Sequence, residues 1–302
     1  DAQRLYGQIV EADRQYVAAQ EAQALATMTT FSAEARFRTP SGTNRWSLLT
    51  SAPRRTANGH LIWDGIEMDI TERKQAETNL ATALEESRLR QRETQALLEA
   101  SQVIPLCHTF EEAAREIFDI CKTLIGATSG YVALLSEDGA ENEVLFLDAG
   151  GLPCDVDPEL PMPVRGLREI AYRTKKTAYD NEFLESEWAV FMPQGHVMLE
   201  NVLFAPLNIQ GRTVGLIGLA NKPGGFTERD AKIAHVFGDL AAVALTYAKY
   251  QDALQETNKL LQTIFDNTHI MIAYLDPQFD FIKVNLNYAL AEGKDAAFFP
   301  GK

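Results

Sequence analysis

The sequence predicts an α+β protein in which small antiparallel sheets are joined by long helices. Three observations carry that expectation. Apolar alternation of period two occurs in short runs, as in Ala35-Arg36-Phe37-Arg38 and Leu61–Ile70, with turn residues between the runs. No Gly or Pro interrupts residues 71–103. Residues from Ile233 to Phe265 step in an unbroken 4-3 repeat.

Composition narrows the function classes. A chain of 302 residues suggests about two domains at roughly 150 residues each. The hydrophobic fraction of 46% is too high for a disordered chain. Forty-two acidic against 28 basic residues leave a net charge of −14. That excludes a broad electrostatic grip on nucleic acid or an anionic membrane, so neither is expected as a partner of this segment. No apolar run approaches the roughly 18–20 residues of a membrane span, and no basic-then-apolar leader is visible. Cys107, Cys121 and Cys154 have no metal-type or CxxC spacing, which fits a reducing cytoplasm. The ends, Asp1 and Gly301-Lys302, read as cuts in a longer chain.

Residues 33–70 read as three antiparallel strands. Pro40-Ser41-Gly42-Thr43-Asn44 and Ala57-Asn58-Gly59-His60 are their turns, and Asn58-Gly59 suits a tight two-residue hairpin with positive φ at both central residues. Asp69 or Thr71 then caps a helix. Its seam holds Leu80, Leu84, Ser87, Gln91, Thr94, Leu98 and Ser101, apolar at the ends and polar in the middle, so a coiled coil here would be weak. Thr109-Phe110-Glu111-Glu112 is a capping box, and Gly126 stops the helix it opens. Tyr131–Leu135 and Val144–Ala149 form a hairpin. Leu167–Lys176 is a helix and Thr177–Tyr179 a short strand. Residues 182–200 have no clean period. Val202–Ile209 and Thr213–Ala220 pair around Gln210-Gly211-Arg212, and Thr227-Glu228-Arg229-Asp230 caps the long helix. Ile270–Asp276 and Phe281–Asn285 open a new unit that the chain leaves unfinished.

These residues carry a resemblance. Asn201–Ile209, Gly211–Lys222 and Gly224–Asp230, with the order helix, hairpin, helix, irregular segment, hairpin and exit helix, resemble a GAF domain over about residues 105–250. Trp63–Arg73 resembles the closing strand and Asp-Ile-Thr junction of a PAS domain with its PAC segment, and residues 260–302 resemble the opening of another PAS domain. The implied organisation is the C-terminal part of a PAS domain at 1–70, a linker helix at 71–104, a complete GAF domain at 105–250, a linker helix at 251–265, and the N-terminal part of a second PAS domain at 266–302. Such an order implies the sensory or relay region of a two-component-type protein, most like a sensor histidine kinase, working as a homodimer through its linker helices. The alternatives are a ligand-free dimerisation scaffold of a cyclic-di-GMP enzyme or transcriptional regulator, and a GAF-based redox enzyme. No output motif is present. His60, His108, His196, His235 and His269 are followed by Leu, Thr, Val, Val and Ile, whereas a phosphoacceptor His is followed by Glu. No catalytic residue is assigned.

The resemblance also weighs cofactors, and none is named by the residues. Cyclic-nucleotide-binding GAF domains carry Asn-Lys, then Phe, then Asp-Glu; here Asn221, Lys222, Phe226 and Asp230 are present but Ala231 replaces the Glu. These four read better as a structural clamp from last strand to exit helix. Bilin attachment uses a Cys-His pair beside the pocket, but Cys107-His108 precedes the first domain helix. Cys154 is the loop candidate for redox chemistry, while Cys107 and Cys121 suit burial. A lone His196 is more often a hydrogen-bonded structural residue than a haem or metal ligand, and no metal site is assigned. The preferred reading is a small-molecule pocket between the sheet and residues 180–200. Its candidate lining is Tyr131, Tyr179, Asp180, Asn181, Trp188, Phe191, His196, Phe204 and Gly218, an apolar wall with a few polar handles.

Overall fold

A computed structural model describes residues 6–151, 156–157, 160–193 and 195–302. The chain divides into two compact units, residues 1–91 and 92–302.

The first unit holds α1 (Glu11–Thr27) and the strands β1 (Phe31–Arg38), β2 (Asn44–Arg55) and β3 (Leu61–Asp69), antiparallel in the order β1-β2-β3. Alternation in β1 sends Phe31, Ala33, Ala35 and Phe37 inward, where they meet Ile9, Val17, Ala24 and Leu49. Asp13 ties α1 to β1, accepting 2.8 and 2.6 Å hydrogen bonds from the Arg36 guanidinium and one of 2.9 Å from its amide. The Arg36 side chain holds the Asp13 carboxyl below its ordinary pKa against the opposing effect of burial. The turn at Asn58-Gly59 differs from the two-residue expectation. The Thr56 amide bonds to the His60 carbonyl and the Gly59 amide to the Thr56 carbonyl, and only Gly59, at φ 80°, is left-handed. This is a three-residue loop, a type I turn closed by one glycine, so Asn58 keeps an unstrained negative φ. At the end of β3, Asp69 accepts from the Thr71 amide at 2.9 Å, and α2 (Thr71–Val103) begins.

The second unit is built around a five-stranded antiparallel sheet of order β5-β4-β8-β7-β6. Its elements are α3 (Phe110–Ile125), β4 (Ser129–Leu135), β5 (Asn142–Asp148), α4 (Leu167–Thr174), β6 (Ala178–Asp180), β7 (Val202–Ile209), β8 (Arg212–Ala220) and α5 (Glu228–Asn267). Both expected capping boxes form: Thr109 with Glu112 on α3, and Thr227 with Asp230 on α5. Gly126, at φ 82°, ends α3. One face of the sheet is covered by α3 and α5. Ile117, Phe118 and Cys121 from α3 and Ala234, Phe237 and Ala241 from α5 meet Val132, Leu203, Ala205, Leu207, Ile217 and Leu219. Small residues let α5 lie close, for a Cβ on Gly238 would stand 2.4 Å from the Pro206 carbonyl oxygen. The C-terminal residues of α2 join this core through Ala100.

Thus Phe237 and Ala244, two positions of the 4-3 seam, face the domain's own core. Later seam positions, Leu254 and Leu261, are exposed, and Val243, Tyr250 and Ile264 beside the seam widen the apolar surface left open on α5. Beyond α5, β9 (Ala273–Leu275) and β10 (Phe281–Val284) form a two-stranded hairpin followed by α6 (Leu286–Ala291). Buried Asn285 organises that segment, accepting from the amides of Ile272 and Tyr288 and donating to the carbonyls of Phe265 and Ile270.

Candidate functional site

The sheet's other face is the candidate site. Strand alternation and register bring Ser129 and Tyr131 of β4, Leu216, Gly218 and Ala220 of β8, Val202 and Phe204 of β7, and Ala178 and Asp180 of β6 to this side. It is roofed by α4 and by residues 183–193 and 195–199, which contain two short 3-10 turns, Phe183–Glu185 and Glu187–Phe191. Leu167 and Ala171 of α4, Phe183, Trp188, Met192 and Leu199 meet Val202, Phe204 and Leu216 there. Tyr131 and Phe204 have ring centroids 6.3 Å apart. The Tyr131 ring lies across Gly218, where a Cβ would stand 2.5 Å from it, so only glycine admits that ring.

Polar groups converge on this apolar face. The Tyr172 hydroxyl of α4 donates to Asn142 Oδ1 at 2.7 Å, and Asn142 Nδ2 donates to the Met162 carbonyl at 3.1 Å. Burial pushes the Tyr172 hydroxyl pKa up, reinforced by the neighbouring Tyr131 and opposed by Arg168. Burial likewise raises that of Tyr131, again opposed by the neighbouring Arg168 side chain. Two enclosed hydroxyls have no hydrogen-bond partner, Tyr131 OH and Ser129 Oγ. An unmade hydrogen bond in a buried group costs about 1–3 kcal/mol, a sizeable share of the 5–15 kcal/mol that holds a typical domain together.

The expected lining residues separate. Tyr131, Phe204, Gly218 and Trp188 come together on this face, and Phe191 stands with Trp188 over Gly166 at the start of α4. Tyr179 pairs with Leu203 and alternates to the opposite side of the strand. Asp180 accepts from the Glu182 amide at 2.9 Å. Asn181 spends both ends of its amide on Phe226, accepting from its N–H at 2.6 Å and donating to its carbonyl at 2.9 Å. His196 Nδ1 lies 2.7 Å from the Val197 carbonyl oxygen, so it donates there. Cys154 lies outside the described residues. Among the described residues, no group of three His, Cys, Asp or Glu side chains is placed to hold a metal ion. Sequence reasoning missed Asn142, Arg168 and Tyr172. Arg168 and Tyr172 stand i, i+4 on one short helix, and that spacing was the available signal.

The loop between β8 and α5 is stitched to the end of the roof and to its flanking residues by three asparagine amides. Besides Asn181, Asn201 accepts from the Lys222 amide at 2.8 Å and donates to its carbonyl at 3.0 Å. Asn221, at φ 56°, accepts from the Glu200 amide and donates to the Met198 carbonyl, each at 2.9 Å. Lys222 pairs with the buried Asp230 carboxylate, which also accepts from the Thr227 amide and hydroxyl at 2.7 Å each. Arg229 in the first turn of α5 pairs with Glu93 of α2 at 2.6 Å.

Residues 107–246 match the family model of the GAF domain. The GAF match supports a general sensory or signalling role. No curated protein matches the chain. Among solved structures, the GAF domain of Acinetobacter phosphoenolpyruvate-protein phosphotransferase is similar at 13% identity and a TM-score of 0.45, covering 52% of this chain and 94% of its own. The free methionine-R-sulfoxide reductase of Neisseria meningitidis, in complex with its substrate, is similar at 14% identity and TM-score 0.45, covering 53% and 91%. A sensory box histidine kinase/response regulator of Burkholderia thailandensis is 33% identical over 27% of this chain and 63% of its own, with TM-score 0.25. Among the described residues, no helix is long and apolar enough to cross a membrane.

Proposed function

We propose that the GAF domain receives a small molecule on the roofed face of its sheet and relays its occupancy to α5. The observation that carries this reading is the asparagine stitching. Asn181 and Asn201, which flank the roof, and Asn221, which reaches Met198 at its end, tie both ends of that segment to the loop that caps α5, so a displacement of the roof is passed to that loop. The clamp of Lys222 on Asp230 extends the connection into the helix, and the Arg229–Glu93 pair extends it to α2. Ligand state then selects between arrangements of the two helices.

In this reading two copies meet through the linker helices. The exposed stripe on α5 supports that, as does an open groove of about 880 Å³ lined by His108, Leu254 and Asn258, since Leu254 and Asn258 are seam positions. The flanking units are read as the end of one PAS domain and the start of another, and the output as a histidine-kinase module, on the strength of the Asp69-Ile70-Thr71 junction and the order of the segments. The test is native mass spectrometry of the full chain, with the mass of whatever is released on denaturation. One small molecule per protomer is expected. Protein that is empty, and stays empty after incubation with a small-molecule extract of cells, would leave the domain a scaffold.

A further inference from the structure

The roofed face also indicates what kind of molecule it takes, an inference that rests on the ligand-receiving reading above. Its two enclosed hydroxyls, Tyr131 OH and Ser129 Oγ, lie two residues apart on the same side of β4, each lacking a hydrogen-bond partner. A hydroxyl can donate or accept, and beside Arg168, which only donates, the group that suits the Tyr131 hydroxyl is an acceptor. Arg168 stands beside the Tyr131 hydroxyl, adding a fixed positive charge and a planar set of donors.

The helix that supplies Arg168 points the same way. Gly166, the residue before α4, adopts φ 66° and offers no side-chain cap to the helix N-terminus. The first turn of α4 carries both Arg168 and Glu169, and its N–H groups have no side-chain cap and so add to the local positive potential. A bound anion would pair with Arg168, meet the uncapped N–H groups and satisfy the orphaned hydroxyl. We propose that this face binds a small molecule through an oxyanion, a carboxylate or a phosphate, held by the Arg168 guanidinium and the Tyr131 hydroxyl at the start of α4. Tyr172 is already committed to Asn142 and shapes the wall beside the anion.

The experiment titrates the full chain by calorimetry and thermal melting with two probes, inorganic phosphate and the dicarboxylates from oxalate to glutarate. The variants are Tyr131→Phe and Arg168→Gln. At least one probe is expected to bind the unaltered chain at one site per protomer. Arg168→Gln weakens it by roughly 10- to 100-fold and Tyr131→Phe by about 10-fold. Without probe, Tyr131→Phe melts about 2–4 °C higher, because it removes a hydroxyl that has no partner. A site residue with a merely structural role would not raise stability while lowering affinity. Whether phosphate or a dicarboxylate binds separates a phosphorylated ligand from a carboxylic acid. The proposal is overturned if neither probe binds, if Arg168→Gln binds equally well, or if Tyr131→Phe melts lower. Stoichiometric release of a neutral molecule would overturn the oxyanion while leaving the ligand-receiving reading intact.

Discussion

At the residue scale, burial and pairing set reactivity. Cys121 sits in the core between α3 and the sheet, and burial pushes its thiol pKa far up. Cys107 is half-buried, and burial together with Glu112 and Glu116 raises it too. Iodoacetamide on the native protein should therefore label Cys107 before Cys121, which peptide mapping would read directly. Equal labelling would mean that the α3 core opens. Asp13 gives a pH prediction. Its folded pKa is lowered by Arg36, so its contribution to stability is complete above the unfolded value of about 3.9 and is lost as pH falls through the folded value. Urea unfolding of the first unit, followed through Trp46 and Trp63 in a Trp188→Phe background, should weaken over that acid window. Asp13→Asn should flatten that part of the decline.

At the element scale, the two helix-capping boxes, the Gly126 stop and the alternation of β1 were legible in the sequence, because each rests on a few adjacent residues. What was not legible depends on contacts between distant segments. The 4-3 repeat of α5 runs unbroken, yet its first half belongs to the domain core and its second half, with Leu254 and Leu261, is left outside. Periodicity reports that a helix has an apolar face, not which neighbour covers it. Asn181 looked like a polar handle for a ligand, but the turn at Phe226, 45 residues away, uses both ends of its amide. Arg168 and Tyr172 gained meaning only once α4 lay over Tyr131. If the exposed stripe joins two copies, Leu254→Glu should convert dimer to monomer in sedimentation velocity and leave the melting temperature of the GAF core unchanged. An unaltered sedimentation coefficient would exclude that face from the interface.

At the scale of the whole molecule, the account joins a ligand-receiving face to an exit helix through a loop held at both ends. Six amide–backbone hydrogen bonds from three asparagines join the loop to the C-terminal end of the roof and to its two flanking residues, Asn181 and Asn201. At about 1 kcal/mol each, these are enough to move the two segments together. The most direct test is hydrogen exchange on ligand-loaded and ligand-stripped protein, read at residues 183–200 and at residues 221–232. The account predicts that loading slows exchange in both segments, and that Asn181→Ala preserves the first effect while diminishing the second. Slowing confined to residues 183–200 in the unaltered chain would contradict it, for the roof would then close over its ligand without informing the helix.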